Sequence, residues 1–540
     1  ADKMELGKIY HMGREEKADL ILNRQAMASH TFVTGSTGTG KSNAVYHLLD
    51  EITKDGRTSF LVVEPAKGEY KNVFGSRADV KVFGTNPRET PLLRINPFAF
   101  PQNIHILEHI DRLVEIFNAC WPMYAAMPAV LKDAIERSYQ KVGWDLRNSE
   151  SEKGIFPTFF DLLDILPGVI EESHYSKDTQ SDYVGALCTR VKSLTNGIYG
   201  SVLCAEDALS DAEMFDQNVI VDLSRVGSME TKSLLMGILV MKLQEYRMCS
   251  SGMNSRLRHV TVLEEAHNLL RKTSAEQSQE GANLQGKSVE MLANAIAEMR
   301  TYGEGFIIAD QAPGLLDMSV IRNTNTKIIL RLPDEEDRKL VGKSAALKEA
   351  QIDELSKLPL GVAAVYQNEW PEAVLCKIEA YPMPENAVYH KPSKMPHEIN
   401  AEFVFGQLAV GKELEPLSIS EMEQLKLWLK RHETVLKPED DRYLERVFAG
   451  GELDVAKTRK AVFDFFGGIG TVVDYCAAAK KSLTPRKEFL EQLQGQYGLK
   501  AAAADWVLNS VISMGMSLNP DAKAVDNLRT NFEQQGGRVL

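Results

Sequence analysis

The sequence lacks several features that would assign it to other classes of protein. None of its apolar runs approaches the ~18 residues needed to span a bilayer, and nothing near its start resembles a signal peptide. The six cysteines are scattered without a Cys-x-x-Cys pair, so neither a disulfide framework nor a zinc site is predicted. A net charge of −13 argues against a protein that coats nucleic acid with its whole surface, although a local basic patch stays compatible with it. We therefore expect a cytoplasmic protein without a membrane partner.

The chain is long enough for several packed cores, and its pattern predicts an α/β fold. At roughly 100–200 residues per domain, its length allows two or three domains. Short runs rich in Val and Ile alternate with helical stretches, which is typical of a parallel sheet with crossover helices. The predicted strands are His30–Thr34, Ser59–Glu64, Asn218–Leu223, His259–Glu264, Gly305–Ala309, Lys327–Leu332 and Gly361–Tyr366.

One segment fits the phosphate-binding loop G-x-x-x-x-G-K-[ST] at every fixed position. Between the apolar run Thr31–Thr34 and the helix-like stretch Asn43–Ile52 lies Gly35-Ser36-Thr37-Gly38-Thr39-Gly40-Lys41-Ser42. Glycines let backbone N–H groups surround the phosphates, the lysine reaches the β- and γ-oxygens, and the serine hydroxyl can bind Mg²⁺. We predict that these eight residues and Asn43 bind ATP, with Lys41 acting on the phosphates and Ser42 on Mg²⁺.

The acidic half of an ATPase site is predicted at the end of a later strand. The run Val260–Glu265 places two glutamates at a strand's carboxyl end, where ligands bind in open α/β sheets. We assign Glu264 to Mg²⁺ and Glu265 to the attacking water. Most such motifs have aspartate at the first position, so the reverse assignment and a merely solvated pair stay open.

Gln311 follows the next predicted strand. Because Asn218–Leu223 precedes the acidic strand, we expect the Gln311 strand to lie between the phosphate-loop strand and the Glu264 strand. There its amide would sense the γ-phosphate or hold the attacking water. The alternative is an ordinary glutamine at a strand end.

Arg300 lies near the end of a predicted helix, Ser288–Tyr302. A cation near a helix C-terminus is favourable against the helix dipole, and that alone could account for it. The second hypothesis makes it an arginine finger that enters the site of a neighbouring subunit.

Two groups of basic residues are candidates for DNA contact. The polar stretch Ala266–Gly286 has Arg271, Lys272 and Lys287 at its edges, and it is either a pore loop or a surface loop. Arg190 and Lys192 form the second group. No aromatic platform is interleaved with these cations, which favours contact with the DNA backbone over base reading.

Changes of pattern along the chain predict its domains. We assign residues 1–96 and 213–382 to the two parts of an ATPase core, and 97–212 to an inserted helical subdomain containing the amphipathic runs Ile104–Cys120 and Ala129–Val142. Residues 397–540 form a helical C-terminal region of unknown role. There a capping box at Ser418 begins a helix through Leu429, and Thr484-Pro485 begins another.

A series of motifs, in order, resembles the HerA branch of the HerA/FtsK ATPases. The motifs are His30–Asn43, Glu64-Pro65-Ala66-Lys67-Gly68-Glu69-Tyr70-Lys71, Arg94-Ile95-Asn96-Pro97-Phe98, Asp222-Leu223-Ser224, Leu263-Glu264-Glu265-Ala266-His267-Asn268 and Arg300-Thr301-Tyr302-Gly303. The resemblance runs from Gly7 to Ile378 and implies a RecA-like P-loop core of the ASCE class. It also implies a homohexameric ring that couples ATP hydrolysis at subunit interfaces to translocation of double-stranded DNA through a central pore. Within that ring it implies the catalytic roles given above for Lys41, Glu265, Gln311 and Arg300.

Two features depart from the family pattern. Family members usually carry a small β-barrel before the core, whereas the phosphate loop here already begins at Gly35, so the barrel is absent or the chain is a fragment. Thr301 stands where the family often has a second basic residue, so a paired finger is not predicted.

Four functions fit these signals. The first is a ring-forming DNA translocase or helicase that uses Mg²⁺ and ATP and acts with a partner nuclease or effector. The second is an ATP-binding hexameric scaffold for an effector enzyme, as HerA-like proteins form in some bacterial antiphage systems. The third is a conjugation or secretion ATPase, which is usually tethered to a membrane. The fourth is a monomeric metabolic kinase, for which no acceptor motif is visible. We favour the first.

Overall fold

The computed structural model describes residues 2–124, 126–151, 154–205, 208–273, 279–383, 387–392, 437–448, 452–497, 499 and 501–540. The chain divides into two compact units. The first lies within residues 1–392 and contains every predicted residue of the ATP site, whereas the second is built chiefly from the chain after residue 392.

The first unit is built on one large mixed sheet. Its strands are β1 (Lys3–His11), β2 (Arg14–Asn23), β3 (Thr31–Thr34), β4 (Ser59–Glu64), β5 (Val80–Gly84), β8 (Asn218–Asp222), β9 (His259–Glu264), β10 (Glu304–Asp310), β11 (Thr326–Ile329), β12 (Val362–Gln367) and β13 (Val374–Lys377); β6 (Trp144–Asp145) and β7 (Glu150–Ser151) form a separate hairpin. The order across the sheet is β2-β1-β13-β12-β11-β3-β10-β9-β4-β8-β5. From β11 to β5 all pairs are parallel, and from β2 to β11 all are antiparallel.

Helices cover both faces of the sheet. They are α1 (Lys41–Thr53), α2 (Tyr70–Phe74), α3 (Ile106–Cys120), α4 (Met127–Lys141), α5 (Phe159–Glu172), α6 (Lys177–Tyr183), α7 (Thr189–Thr195), α8 (Gly197–Leu203), α9 (Asp211–Phe215), α10 (Met229–Ser250), α11 (Gln279–Glu298), α12 (Met318–Arg322), α13 (Glu335–Ser344) and α14 (Glu349–Glu354). Short 3₁₀ turns lie at Gln25–Ser29, Ala266–Asn268, Met299–Tyr302 and Pro313–Leu315, and a π turn at Val184–Cys188.

Successive side chains of the central strands enter two different hydrophobic layers. Phe32 and Leu61 pack in the layer that includes α3 and α10, whereas Val33 and Val62 pack in the layer that includes α1. This division follows because neighbouring residues of a strand point to opposite faces of the sheet. With both faces covered, these strands read as continuous apolar runs, which made them visible in the sequence.

The strand order predicted around the phosphate loop is confirmed. Gln311 directly follows β10, and β10 lies between β3 and β9. The seven predicted strands are all present, with small shifts at their ends. The structure adds β1, β2, β5 and β13 to the sheet. Most residues of β1 and β2 are at least partly exposed and many are charged, so neither strand has the apolar run that identified the others.

Residues 97–212 are largely helical. They contain α3 to α8 and the beginning of α9. Helix α3 packs against α10 and α11, so this region shares a hydrophobic core with the helices that follow it. The domain boundaries assigned in the sequence stay a prediction.

The polar stretch Ala266–Gly286 is not a continuous loop. Helix α11 already begins at Gln279, whereas the sequence predicted a start at Ser288. The first turns of α11 are rich in polar residues and glycine without an apolar period, so sequence periodicity could not show them.

The second unit is helical in its described part. Its helices are α15 (Pro438–Phe448), α16 (Val455–Phe465), α17 (Gly468–Ala479), α18 (Pro485–Tyr497), α19 (Ala501–Leu518) and α20 (Ala522–Gln534), and they enclose a core of their own. The helix start predicted at Thr484-Pro485 is confirmed by α18, whereas the helix predicted from Ser418 to Leu429 lies outside the described residues. Within the described ranges, no single helix has the length and apolarity to cross a membrane; the pair α16 and α17, bent by 69°, passes by length and composition alone.

A buried ionic network lies where β9 and β10 begin. The Glu304 carboxylate accepts hydrogen bonds from Arg247 Nε at 2.9 Å and Thr261 Oγ1 at 2.8 Å, and it lies 2.7 Å from His259 Nδ1. Burial acts to raise the pKa of Glu304, but His259 and Arg247 outweigh it and lower that pKa. The network therefore joins the two strands to α10 through a fully buried carboxylate.

We expect Glu304→Ala to lower the free energy of unfolding of the first unit by about 1–3 kcal/mol, because the buried Nε of Arg247 and the Thr261 hydroxyl would lose their acceptor, although Arg247 keeps its ion pair with Asp216 at 2.8 Å. Urea unfolding followed by circular dichroism measures the change. Glu15→Ala, which removes an exposed carboxylate from β2, is the matched control and should change this free energy by less than about 0.5 kcal/mol. Equal stability of the two variants would show that the network does not stabilise the fold.

Candidate active site

The phosphate loop connects β3 to α1, as the sequence predicts. Gly38 and Gly40 have left-handed backbone angles, with φ of 78° and 105°, which lets the chain turn tightly into Lys41 at the start of α1. A Cβ at Gly35 would lie 2.8 Å from Leu330 Cβ, so no side chain fits there. The first N–H groups of α1 lack partners within the helix, and such a helix start favours phosphate binding.

Lys41 lies between the two predicted acidic residues. Its Nζ donates hydrogen bonds to Glu264 Oε2 and to Glu265 Oε1, each at 3.0 Å. The Tyr70 hydroxyl donates to the other oxygen of Glu264. Burial disfavours the ammonium of Lys41, but the two carboxylates outweigh this effect and raise the pKa of Lys41. The three groups meet because parallel strands bring their carboxyl ends to one edge of the sheet.

Glu265 has an unusual backbone and an unsatisfied side-chain oxygen. Its φ of 45° is in the left-handed region, which is uncommon for a residue with a side chain and is often found at functional sites. Its Oε2 is buried and accepts no hydrogen bond from the residues that the structure describes. Since buried polar atoms are normally paired, this oxygen is suited to accept a hydrogen bond from a water molecule.

Gln311 faces the phosphate loop. Its Oε1 accepts a hydrogen bond from Thr37 Oγ1 at 2.8 Å. The loop, Glu265 and Gln311 line one cavity of about 420 Å³, together with Lys67 and Lys377. The structure therefore brings the residues predicted from three separate segments into one cleft.

Asn43 lines the same cavity, but its amide is occupied by backbone groups. Its Nδ2 donates to the carbonyl oxygen of Glu379 at 2.8 Å, and its Oδ1 accepts from the N–H of Tyr381 at 2.7 Å. These bonds hold the segment after β13 against α1. The predicted contact between Asn43 and the nucleotide stays a prediction.

Arg300 lies at the opposite edge of the sheet from Lys41. It is exposed in the turn Met299–Tyr302, just before β10, and the far end of β10 reaches the cavity. The seven residues of β10 span roughly 20 Å. Arg300 therefore lies far from the phosphate loop of its own chain, on a surface open to another molecule.

Comparisons with known proteins support the interpretation of this cleft as an ATPase site. The family model described as the central domain of helicase HerA matches residues 4–243. The DNA double-strand break repair helicase HerA of Sulfolobus acidocaldarius is 25% identical over 395 residues, covering 71% of this chain and 70% of that protein. The HerA helicase of Sulfurisphaera tokodaii is 23% identical over 382 residues, covering 70% and 69%.

The structure of VirB4 from Thermoanaerobacter pseudethanolicus shares this fold with a TM-score of 0.52 and 18% identity, over 70% of this chain and 97% of that one. Over residues 4–243 this chain resembles the central domain of the HerA helicases. The resemblance predicted from its motifs and the parallel-dominated α/β fold predicted for its core are therefore confirmed.

Three of the predicted basic residues lie close together in the structure. Arg271, Lys272 and Lys287 are all exposed. A Cβ at Gly286 would lie 2.7 Å from Thr273 Oγ1, so the chain after Lys272 approaches the helix turn before Lys287. The structure thus brings three cations onto one surface, and their contact with DNA stays a prediction.

The second pair of basic residues differs. Arg190 Nε lies 3.2 Å from Glu230 Oε2, so a carboxylate offsets its charge. Lys192 is exposed on α7. Of this pair, Lys192 is therefore the better placed to meet a phosphate.

His267 belongs to the site, although no role was predicted for it from the sequence. Its Nδ1 lies 2.8 Å from Asp310 Oδ2 and 3.5 Å from Glu265 Oε2. The hydrogen bond to Asp310 raises the pKa of His267. The signal was present, because His267 stands two residues after Glu265 within the family motif Leu263–Asn268.

The oxygen donors at the cleft fit a Mg²⁺ ion. Mg²⁺ prefers oxygen ligands and keeps several waters. Ser42 lines the cavity, Glu264 is hydrogen-bonded to Lys41, which also lines it, and Oε2 of Glu265 accepts no hydrogen bond from the described residues. A second group, Glu265, His267 and Asp310, has donor atoms within 4.8 Å of one another, but its histidine nitrogen suits Mg²⁺ less well. Ser42 and Glu264 stay the predicted ligands.

We expect Glu265→Gln to bind ATP but to hydrolyse it on the order of 10²-fold more slowly, because the amide keeps the shape without the basic oxygen that orients water. Glu264→Gln should instead weaken Mg²⁺-dependent binding. Binding of a fluorescent ATP analogue with and without Mg²⁺, beside single-turnover hydrolysis, measures both effects. Reversed phenotypes would exchange the two roles, and two unimpaired variants would remove both glutamates from the site.

Proposed function

We propose that this HerA-like ATPase is a ring-forming motor that hydrolyses Mg²⁺-ATP to translocate double-stranded DNA, and that it acts with a partner nuclease or other effector protein. One observation carries the proposal. Lys41, Glu265 and Gln311 meet at one edge of the sheet, whereas Arg300 lies at the other. No arginine is among the described residues that line the cavity.

A neighbouring subunit would supply the missing arginine. An arginine finger provided in trans stabilises the charge that develops during phosphoryl transfer. Because the edge with Arg300 and the edge with Lys41 are different surfaces of one chain, contact between them is heterologous, and such contacts close into rings when the rotation allows. Each interface of a homohexamer would then contain one complete site.

ATP binding would redistribute the charges now paired in the cleft. Lys41 would turn from the two carboxylates to the β- and γ-phosphates, which leaves Glu264 free to bind Mg²⁺ and Glu265 free to orient water. Mg²⁺ would supply charge neutralisation at the phosphates. Gln311, already bonded to the phosphate loop through Thr37, would register whether the γ-phosphate is present.

Two loops that hydrogen-bond to each other would connect this cleft to the surface that carries Arg271, Lys272 and Lys287. The loop after Glu265 continues to Arg271, whose backbone pairs with Leu316 in the loop after Gln311, and the Lys272 N–H donates to the Leu315 carbonyl at 2.8 Å. A change of contacts at Glu265 or Gln311 is thereby passed to residues suited to hold a phosphate backbone. The matched relatives are named as helicases of DNA double-strand break repair, which supports DNA as the polymer moved.

We expect Arg300→Ala to keep ATP binding and to lose turnover by on the order of 10³-fold, as removal of a finger supplied in trans does. Lys41→Ala should also be inactive, because the phosphates lose their lysine. Rings that contain both variants should recover turnover at interfaces where an intact Lys41 meets an intact Arg300.

Native mass spectrometry establishes whether mixed rings form, and phosphate release measures their activity. Arg57→Ala, which removes an exposed arginine ahead of β4 at the same edge, is the matched control and should keep full turnover. If mixed rings assemble and stay inactive, Arg300 acts on the site of its own subunit or serves only as a favourable charge at the end of its helix.

We expect simultaneous alanine substitution of Arg271, Lys272 and Lys287 to weaken duplex DNA binding. For every DNA phosphate that the variant no longer neutralises, the slope of log K against log[salt] should become shallower by roughly 0.9, and fluorescence anisotropy at several salt concentrations measures it. Alanine at three other exposed lysines, Lys54, Lys81 and Lys339, removes the same charge elsewhere and is the control.

Unchanged affinity and slope would remove this surface from the DNA path. A ring whose ATPase duplex DNA does not stimulate would instead favour an ATP-binding scaffold that organises an effector enzyme.

A further inference from the structure

Lys67 is a cation held in a strained backbone conformation beside the phosphate loop. Its φ of 68° lies in the left-handed region that residues with a side chain rarely adopt. Lys67 lines the cavity of the phosphate loop, and its ammonium has no hydrogen-bond or ion-pair partner among the described residues. Strain of this kind persists only when the surroundings enforce it, and it is concentrated at functional sites.

The surrounding loop enforces this conformation. The buried carboxylate of Glu64 accepts hydrogen bonds from the backbone N–H groups of Glu69 at 2.9 Å and Tyr70 at 3.2 Å. The Gly68 N–H donates to the Ala66 carbonyl at 2.9 Å. A Cβ at Gly68 would lie 2.9 Å from Ser224 Oγ, so the residue after Lys67 must stay small. The loop is therefore fixed on both sides of Lys67.

The strand order shows which part of a nucleotide Lys67 faces. Its loop follows β4, which pairs with β9, so Lys67 leaves the sheet on the same side of β3 as Glu264 and Glu265. The apolar residues Leu360, just before β12, and Ile378, just after β13, line the cavity on the other side of β3. The base is favoured on the apolar side, and the terminal phosphate on the acidic side near Lys67.

We propose that Lys67 binds the γ-phosphate of ATP within its own chain and stabilises the negative charge of that group during hydrolysis. This role rests on the nucleotide site proposed above and adds a cation to Lys41 and the neighbour's Arg300. In the step, the water oxygen bonds to the γ-phosphorus while the bond to the β–γ bridging oxygen breaks. The water proton passes to Glu265, and ADP and phosphate leave. Lys67 contacts the γ-oxygens throughout and takes no part in the proton transfer, and its preorganised position needs no rearrangement.

The test compares ATPγS with ADP, because only the first carries a γ-phosphate group. Isothermal titration calorimetry of the full chain with Mg²⁺ should show that Lys67→Ala binds ATPγS about tenfold more weakly, the loss expected for one charge-assisted hydrogen bond. Affinity for ADP should stay within about twofold. Single-turnover hydrolysis of ATP should slow by on the order of 10²-fold. Lys54→Ala, at an exposed lysine just after α1, is the control and should change none of these values.

Lys67→Gly separates the side chain from the backbone. Glycine adopts a positive φ without strain, so the melting temperature should not fall. Lys67→Gly should nevertheless bind ATPγS more weakly relative to ADP, as Lys67→Ala does. If Lys67→Gly keeps that preference, or if Lys67→Ala weakens ATPγS and ADP equally, the γ-phosphate role is wrong. Lys41→Ala distinguishes this failure from a failure of the whole site. If Lys41→Ala binds nucleotide normally, the cavity is not the nucleotide site.

Discussion

Two carboxylates that lie side by side at the end of a buried strand repel each other, and the ammonium of Lys41, 3.0 Å from each, offsets that repulsion. The rest of the site depends on this arrangement. Strand β10 must lie between β3 and β9 so that the phosphate loop and the acidic strand are close enough for the lysine to reach both acids. The same cluster sets the condition for ATP binding, because the phosphates must compete with Glu264 and Glu265 for one ammonium.

Backbone strain is found on both sides of this cleft. Glu265 after β9 and Lys67 after β4 have positive φ angles, and both line the phosphate cavity. Each follows a strand end directly or within a short loop that buried hydrogen bonds hold in place. Such conformations cost on the order of 1–3 kcal/mol each, and the surrounding sheet must supply that energy. The site is therefore preorganised by the fold before any ligand arrives.

The sheet also separates the parts of the site. Lys41 and the acids lie where the parallel strands end, and Arg300 lies where one of them begins. A single chain cannot bring these two edges together, because a β-strand is rigid along its length. The geometry thus relates the proposed chemistry to assembly, and it makes the subunit interface part of the proposed active site rather than a mere support.

Much of the core was predictable because its signals are local. The phosphate loop, the acidic pair and the seven central strands are each recorded in a few consecutive residues, and the place of β10 followed from topology. Other features required tertiary structure. Strands β1 and β2 are charged and exposed, and β1 joins the sheet only by pairing with β13, with Lys8 opposite Lys377. The pairing of Arg190 with Glu230 likewise depends on a partner distant in sequence. The sequence alone determined the phosphate loop and the acidic pair of the cleft. Only the tertiary structure decided that Lys67 lines it, that His267 contacts Glu265 and which edge carries Arg300, because those positions depend on the pairing of strands distant in sequence.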